Sequence, residues 1–185
     1  MAWMPVPDRD HRLFTIDEYL ALERSEEERH EYLDGGVYAM AGESPDHGRI
    51  CMNLAVSLGT QLRGTSCEAF SKDTKVHCGP MPRPGGSREG LVEVLSPSTE
   101  AFDRGEKFRR YRAWLPTLTD YVLGAQDRPL IDHYRRQEDG TWILRALEDL
   151  QAHLPLGAIG CTVPLADVYE RIVFPTTPAA EEPAG

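Results

Sequence analysis

Three side chains in this sequence, Glu31, Glu93 and Lys107, have the types needed for chemistry on a phosphoester. Glu93 stands in "LVEVL", where four apolar residues surround one carboxylate. A strand this apolar is normally covered on both faces, and an unpaired carboxylate there is costly. Either a cation pairs with Glu93 or something binds at it. Glu31 lies in another strand-like run, "HEYL", and Lys107 falls a turn or more into the helical segment after "LSPST". Carboxylates gathered in this way suit a divalent ion such as Mg²⁺ or Mn²⁺, which takes oxygen ligands and keeps several waters. Such an ion acidifies a water and offsets charge in an in-line displacement at phosphorus. A lysine beside it would orient that water or neutralise the developing charge. The plainer reading is structural: single acids in strands often pair with a lysine, and Glu93 with Lys107 would be such a pair.

Other polar groups read as structural. Asp103 is placed to anchor a helix N-terminus through the dipole. Ser96 and Ser98 read as turn and capping residues, since no His-Asp arrangement accompanies them. In "RGEKFRRYR" the cations Arg104, Lys107, Arg109, Arg110 and Arg112 would spread round a helix rather than line one face. The four cysteines, Cys51, Cys67, Cys78 and Cys161, show no CxxC spacing, so reduced thiols are expected rather than a zinc site.

Elements must hold these groups in place. Thr15 and Glu18 form a capping box that opens a helix in "FTIDEYLALERSEEER". "HEYLDGGVYAMAG" predicts a hairpin turning at Asp34-Gly35-Gly36. A second helix follows in "SPDHGRICMNLAVSLGTQLRG", with Ile50, Leu54, Leu58 and Leu62 at four-residue spacing and Gly64 at its end. "CEAFSKDTKVHC" is strand-like, with Phe70 and Val76 as apolar members, and "LVEVL" reads as the central strand. A helix is expected from Thr99 or Glu100 to Trp114, stopped by Pro116. "DYVLGA", "LIDHYRR" and "TWILRAL" are further strands, with a turn at Asp139-Gly140, and "CTVPLADVYERIVF" is a short closing segment. The pattern predicts an α/β domain with a central mixed sheet flanked by helices. Residues 1–12 form an N-terminal extension, 13–174 a single domain, and 175–185 a Pro-, Ala- and Glu-rich disordered tail.

The bulk properties agree with a soluble globular chain. It has 185 residues, 41% apolar and 27% charged. No apolar run approaches a membrane span, and no basic segment leads into an apolar one near the N-terminus. A cytoplasmic location and no membrane partner are therefore expected. The net charge of −10 opposes non-specific adhesion to nucleic acid, yet a nuclease site itself gathers acids to hold a metal.

The blocks "HEYLDGGVYAMAGESPDHGRICMNL", "SKDTKV", "LVEVLSPSTEAFDRGEKFRRYR" and "LTDYVL" together resemble the Uma-two family, restriction-endonuclease-like proteins of the PD-(D/E)XK nuclease superfamily. The resemblance implies a restriction-endonuclease-like core and metal-dependent hydrolysis of DNA. It maps the active-site glutamate onto Glu93, the nuclease lysine onto Lys107 and a metal-side glutamate onto Glu31. His47 matches a family histidine and would contact a phosphate or substrate; a structural cap is its plainer role. Family members also carry a Pro-Asp strand whose aspartate is the main metal ligand, and residues 77–92 contain none. Either a deletion has crippled the enzyme or a native stretch is missing from this sequence. Asp73 would stand in as second acid, although pairing with Lys72 or Lys75 is the plainer reading. The expected function is a metal-dependent DNA endonuclease using Mg²⁺ or Mn²⁺, with a homodimer suited to cutting both strands. The rivals are an inactive nuclease-fold binding module, marked by a Glu93–Lys107 salt bridge without an open acidic pocket, and a hydrolase of smaller phosphoesters.

Overall fold

The structure, a computed structural model, describes residues 13–39, 44–70 and 89–174. They fall into two compact units. One comprises residues up to Ser44 together with Pro97–Thr99; the other comprises Pro45–Ser96 and the chain from Glu100 onward.

In the first unit, helix α1 (Ile16–Ser25) starts at the expected capping box. The Glu18 amide donates to Thr15 Oγ1 at 3.2 Å, and the Thr15 amide donates back to Glu18 Oε2 at 2.8 Å. Two amides that the helix leaves without internal partners are thereby satisfied. Strands β1 (His30–Leu33) and β2 (Gly36–Ala39) form the predicted antiparallel hairpin. Its turn needs positive φ at both central residues, and Asp34 (50°) and Gly35 (88°) supply it. Tyr19 fastens α1 to the hairpin by stacking on Tyr32 at 5.3 Å and donating its hydroxyl to the His30 carbonyl at 2.9 Å.

The second unit is built on a four-stranded sheet in the order β3-β4-β5-β6. Strand β3 (Glu89–Val94) runs parallel to β4 (Leu118–Gly124), and β5 (Ile131–Arg136) and β6 (Trp142–Leu147) continue antiparallel. A parallel pair needs a long crossover. Here it is α3 (Glu100–Phe102), a π-turn (Asp103–Lys107) and α4 (Phe108–Trp114) in succession. Alternation sorts the strand residues onto two faces. Val92, Val94, Val122 and Ile131 join a core shared with Ile50 and Leu54 of α2 (Pro45–Gln61) and with the closing elements. Leu91, Tyr121, Leu123 and Tyr134 pack on the other face against Phe108, Tyr111 and Leu115. Phe108 is the hub there, stacked on Tyr121 at 5.2 Å and meeting Trp142 edge-on at 5.2 Å. The result is the mixed α/β architecture the sequence predicts, and no helix among the described residues is long and apolar enough to cross a membrane.

Three expectations are corrected. Strand β3 is half-buried and, among the described residues, lies at one edge of its sheet rather than in the centre. Its apolar residues face two different cores, and the face carrying Glu93 is only partly covered. Residues 67–70 form no strand, and Phe70 is 71% exposed; the rest of that run lies outside the described residues. The closing segment is larger than expected: β7 (His153–Leu156) pairs with β8 (Cys161–Pro164), and α5 (Leu165–Val168) follows. Pro155 disguised β7, since proline argues against a central strand; a two-stranded ribbon has edges that tolerate it. The proposed extension and tail lie outside the described residues.

Candidate active site

The crossover brings charged side chains together at a strand end. Glu93 is next to last in β3, on the face that α4 covers, and ligands of open α/β sheets gather beyond the carboxyl ends of parallel strands. Lys107 closes the π-turn and reaches back to it. Its Nζ lies 3.1 Å from Glu93 Oε1 and 3.2 Å from Asp103 Oδ1. One ammonium therefore bridges two carboxylates. The Asp103 side chain is only 4% exposed, and its buried Oδ1 makes no hydrogen bond. Its contact with Lys107 is an ion pair by distance, without hydrogen-bond geometry.

Aromatic hydroxyls fix the surroundings. Tyr121 donates to the Asp103 carbonyl at 2.9 Å, and Tyr111 is directed at Glu93 Oε1 from 3.4 Å. Burial pushes the Tyr121 phenol far up from its ordinary value, and the nearby negative charge of Glu93 adds to the effect while Lys107 opposes it. The hydroxyl therefore stays protonated as a donor. Arg104, beside Asp103, staples the π-turn to the sheet through Asp132 of β5 and holds Glu100 Oε1 at 2.8 Å. Burial disfavours its charge, but these bonds more than offset that and raise its value.

The remaining cations of the basic cluster serve the helix. Arg109 and Arg110 both bond Glu106, at distances from 2.6 to 2.7 Å, and Arg112 lies 5.6 Å over the Phe108 ring. Hydrogen bonds from the two arginines hold the Glu106 carboxyl at about 2 instead of 4.5. A depressed carboxylate contributes stability that is present above its unfolded value and lost as pH falls through its folded value. The unfolding difference between the protein and Glu106→Gln should thus be present at neutral pH, shrink below pH 4.5 and vanish near pH 2. Urea titrations across that range measure it; a pH-independent difference would refute the assignment.

Of the residues singled out from the sequence, Glu93 and Lys107 are brought together. Asp103 was read as a helix-start anchor; instead it sits inside the crossover, against Lys107. The signal was available: Asp and Lys four apart share a helix face. The ring of His47, in the first turn of α2, is engaged within the protein: Nε2 donates to the Val94 carbonyl at 3.0 Å, and Cys51 Sγ lies 3.7 Å from Nδ1. Glu31 belongs to the first unit, opposite Tyr38 in the hairpin, and Asp73 lies outside the described residues. Among the described residues, no group of three or more His, Cys, Asp or Glu side chains is arranged to hold a metal ion. The donors that do converge are two hard carboxylates, and magnesium is commonly held by one or two carboxylates plus water and substrate phosphate.

The chain matches the family described as Uma2, putative restriction endonuclease, over residues 16–90 and 89–165. It belongs to the Uma2 family. The two matched stretches meet at residues 89–90, just past "GPMPRPGGSR" in the interval that lacks a Pro-Asp. A relative in Synechocystis sp., described as an uncharacterised protein, is 35% identical over 177 residues, 85% of this chain and 92% of its own length. A second uncharacterised Synechocystis protein is 27% identical, covering 74% of this chain and 88% of its own. The fold of this Uma2 chain is similar to that of a putative nuclease belonging to DUF820 from Anabaena variabilis. The TM-score is 0.62 at 13% identity, covering 86% of this chain and 99% of the other.

Proposed function

We propose that this Uma2 protein is a metal-dependent endonuclease that hydrolyses DNA phosphodiester bonds. The observation that carries the reading is Lys107 Nζ held between Glu93 and Asp103 at the end of β3. Glu93 is the residue we assign to hold Mg²⁺ or Mn²⁺; Glu31 keeps the metal-side role that family resemblance gives it, Asp73 remains a candidate second acid, and His47 a candidate substrate contact. A bound ion of this kind supplies an acidified water and positive charge at the phosphate. Lys107 neutralises charge developing on the phosphoryl oxygens and orients the attacking water. Asp103 positions that lysine, Tyr111 is directed at the Glu93 carboxylate, and Tyr121 holds the backbone at Asp103.

The experiment is plasmid nicking by the purified protein with Mg²⁺, with Mn²⁺ and with EDTA, beside Glu93→Gln. Nicking that requires the metal and disappears in the variant is the expected result. One observation favours a second reading. The Glu93–Lys107 ion pair, at 3.1 Å, is also what an inactive nuclease fold retained as a binding module would keep. No nicking by the parent with either metal, alongside retained DNA binding in a gel-shift assay, would replace the first reading with the second.

A further inference from the structure

We propose that a second copy of this chain pairs its β6 antiparallel with β6 of the first, joining the two sheets across a two-fold axis at Ile143. The interface does not depend on the nuclease reading. Among the described residues β6 is the edge of the sheet opposite β3. Edges of this kind recruit another strand unless proline, a bulge or several charges blunt them. Strand β6 has no proline, pairs with β5 without a break in register, and carries a single charge, Arg145. Ile143 is 56% exposed and Leu144 51%, one on each face of the strand, so the edge is apolar on both sides.

The free main-chain groups can be assigned. The Gln137 amide donates to the Thr141 carbonyl at 2.8 Å, which makes these two a hydrogen-bonded pair at the start of the β5–β6 ladder. Pairs alternate along an antiparallel ladder. Thr141, Ile143 and Arg145 therefore turn their main-chain groups to β5, and Trp142, Leu144 and Ala146 turn theirs outward. A strand that pairs with its own copy must match outward residues with outward residues, so the two-fold axis falls on a residue and not between two.

Charge selects the residue. Among the described residues Arg145 is exposed and makes no ion pair. Asp139, in the turn before β6, accepts from the Thr141 amide at 2.9 Å and the Thr141 hydroxyl at 2.7 Å, both on Oδ1, which leaves Oδ2 open. Within one chain the extended run from Thr141 to Arg145 covers about 13 Å, too far for the two charges to meet. An axis at Arg145 would set two guanidinium groups face to face. An axis at Leu144 would set Arg145 on Ile143 and use neither charge. With the axis at Ile143, Arg145 of each copy stands opposite Thr141 of the other and diagonal to its Asp139, within reach of a long side chain. The same register sets Ile143 against Ile143 and lets each Trp142 exchange main-chain hydrogen bonds with a Leu144.

The test is sedimentation equilibrium of the full, reduced chain, which should give twice the 20.7 kDa chain mass. Ile143→Lys sets two ammonium groups together on the axis and should weaken the dimer about a hundredfold; Arg145→Glu, which places an acid by Asp139, should weaken it about tenfold. Circular dichroism confirms that each variant is folded. Mild oxidation of Ile143→Cys should join the copies through residue 143, read by peptide mass spectrometry, because residues facing across a non-hydrogen-bonded pair have Cα atoms about 4.5 Å apart, within disulfide range. Leu144→Cys should form no such bridge. A parent chain that sediments as a monomer overturns the proposal, and protection of its Trp142 and Leu144 amides from hydrogen exchange would then give the edge to another segment of the same chain. A dimer that folded Ile143→Lys leaves intact overturns it too, as does a bridge formed by Leu144→Cys and not by Ile143→Cys.

Discussion

Replacing Lys107 with alanine should destabilise the protein by roughly 3–5 kcal/mol, because removing one partner of a buried pair leaves the other charge uncompensated. The charge left behind is Asp103, whose side chain is 4% exposed and whose Oδ1 has no hydrogen bond to fall back on. Glu93, at 27% exposed, can turn toward water and will account for little of the loss. Under the nuclease reading the same substitution should lower cleavage by about 10²–10³-fold, the usual effect of deleting one group that stabilises transition-state charge. The two consequences can be separated. Adding Asp103→Asn removes the stranded charge, so Lys107→Ala/Asp103→Asn should regain most of the stability while cleavage stays lost. Urea unfolding and plasmid nicking on the same preparations test both. If Lys107→Ala unfolds at the parent's midpoint, Asp103 does not depend on the lysine. If the double variant regains cleavage, Lys107 acts only structurally.

His133→Leu should bring a loss of roughly 1–3 kcal/mol on the opposite face of the sheet, because a buried acceptor of Asp120 loses its donor. His133 Nε2 lies 2.7 Å from Asp120 Oδ1, and both side chains are 3% exposed. The pair is diagonal across β4 and β5, since Val122 is the residue opposite His133. Without the imidazole, Asp120 keeps the Thr119 hydroxyl at 2.8 Å, on Oδ2. Oδ1 would then be a buried acceptor with nothing to accept from, which carries its own cost. Val122 and His133 lie on the side of the sheet away from Glu93, so the cleavage rate per folded molecule should not change. Chemical unfolding gives the first number, and nicking normalised to folded protein gives the second. A cleavage loss exceeding the folded fraction would mean that the two faces of the sheet are coupled.

These contrasts also show which parts were legible in the sequence. The capping box at Thr15 and Glu18 and the paired turn residues Asp34 and Gly35 are local devices, written in adjacent letters, and they were found where expected. Strands β4, β5 and β6 were readable for a similar reason, each being a short segment bounded by turn residues. The position of β3 within its sheet was not readable, because strand order depends on pairing partners far away in the chain. Strand β7 was hidden by Pro155, a local signal that two-stranded pairing overrides. The meeting of Glu93 and Lys107 was readable as the salt bridge a lone strand acid usually finds, and family resemblance pointed to the same two residues. Asp103 was read as a helix-start anchor because its four-residue spacing from Lys107 went unused, and the chain between Glu100 and Trp114, read as one regular helix, contains a π-turn.

That departure from regularity has an evolutionary reading. An α-helix advances about 100° with each residue, so one extra residue wound into a wider turn shifts the phase of everything before it relative to everything after it. Single wide turns of this kind often mark functional sites. Here the phase after the turn keeps Phe108 and Tyr111 on the sheet, while the turn itself carries Asp103, Arg104 and Lys107. The crossover works as two short helices with separate bearings, spliced at Gly105, which is exposed and has nothing within 4 Å of where a side chain would begin. Removing that one residue would leave a smoother helix and scatter the charges that the splice now gathers. A length change of a single codon, with no acid or base altered, would be enough to separate a descendant that keeps this fold from one that keeps its site.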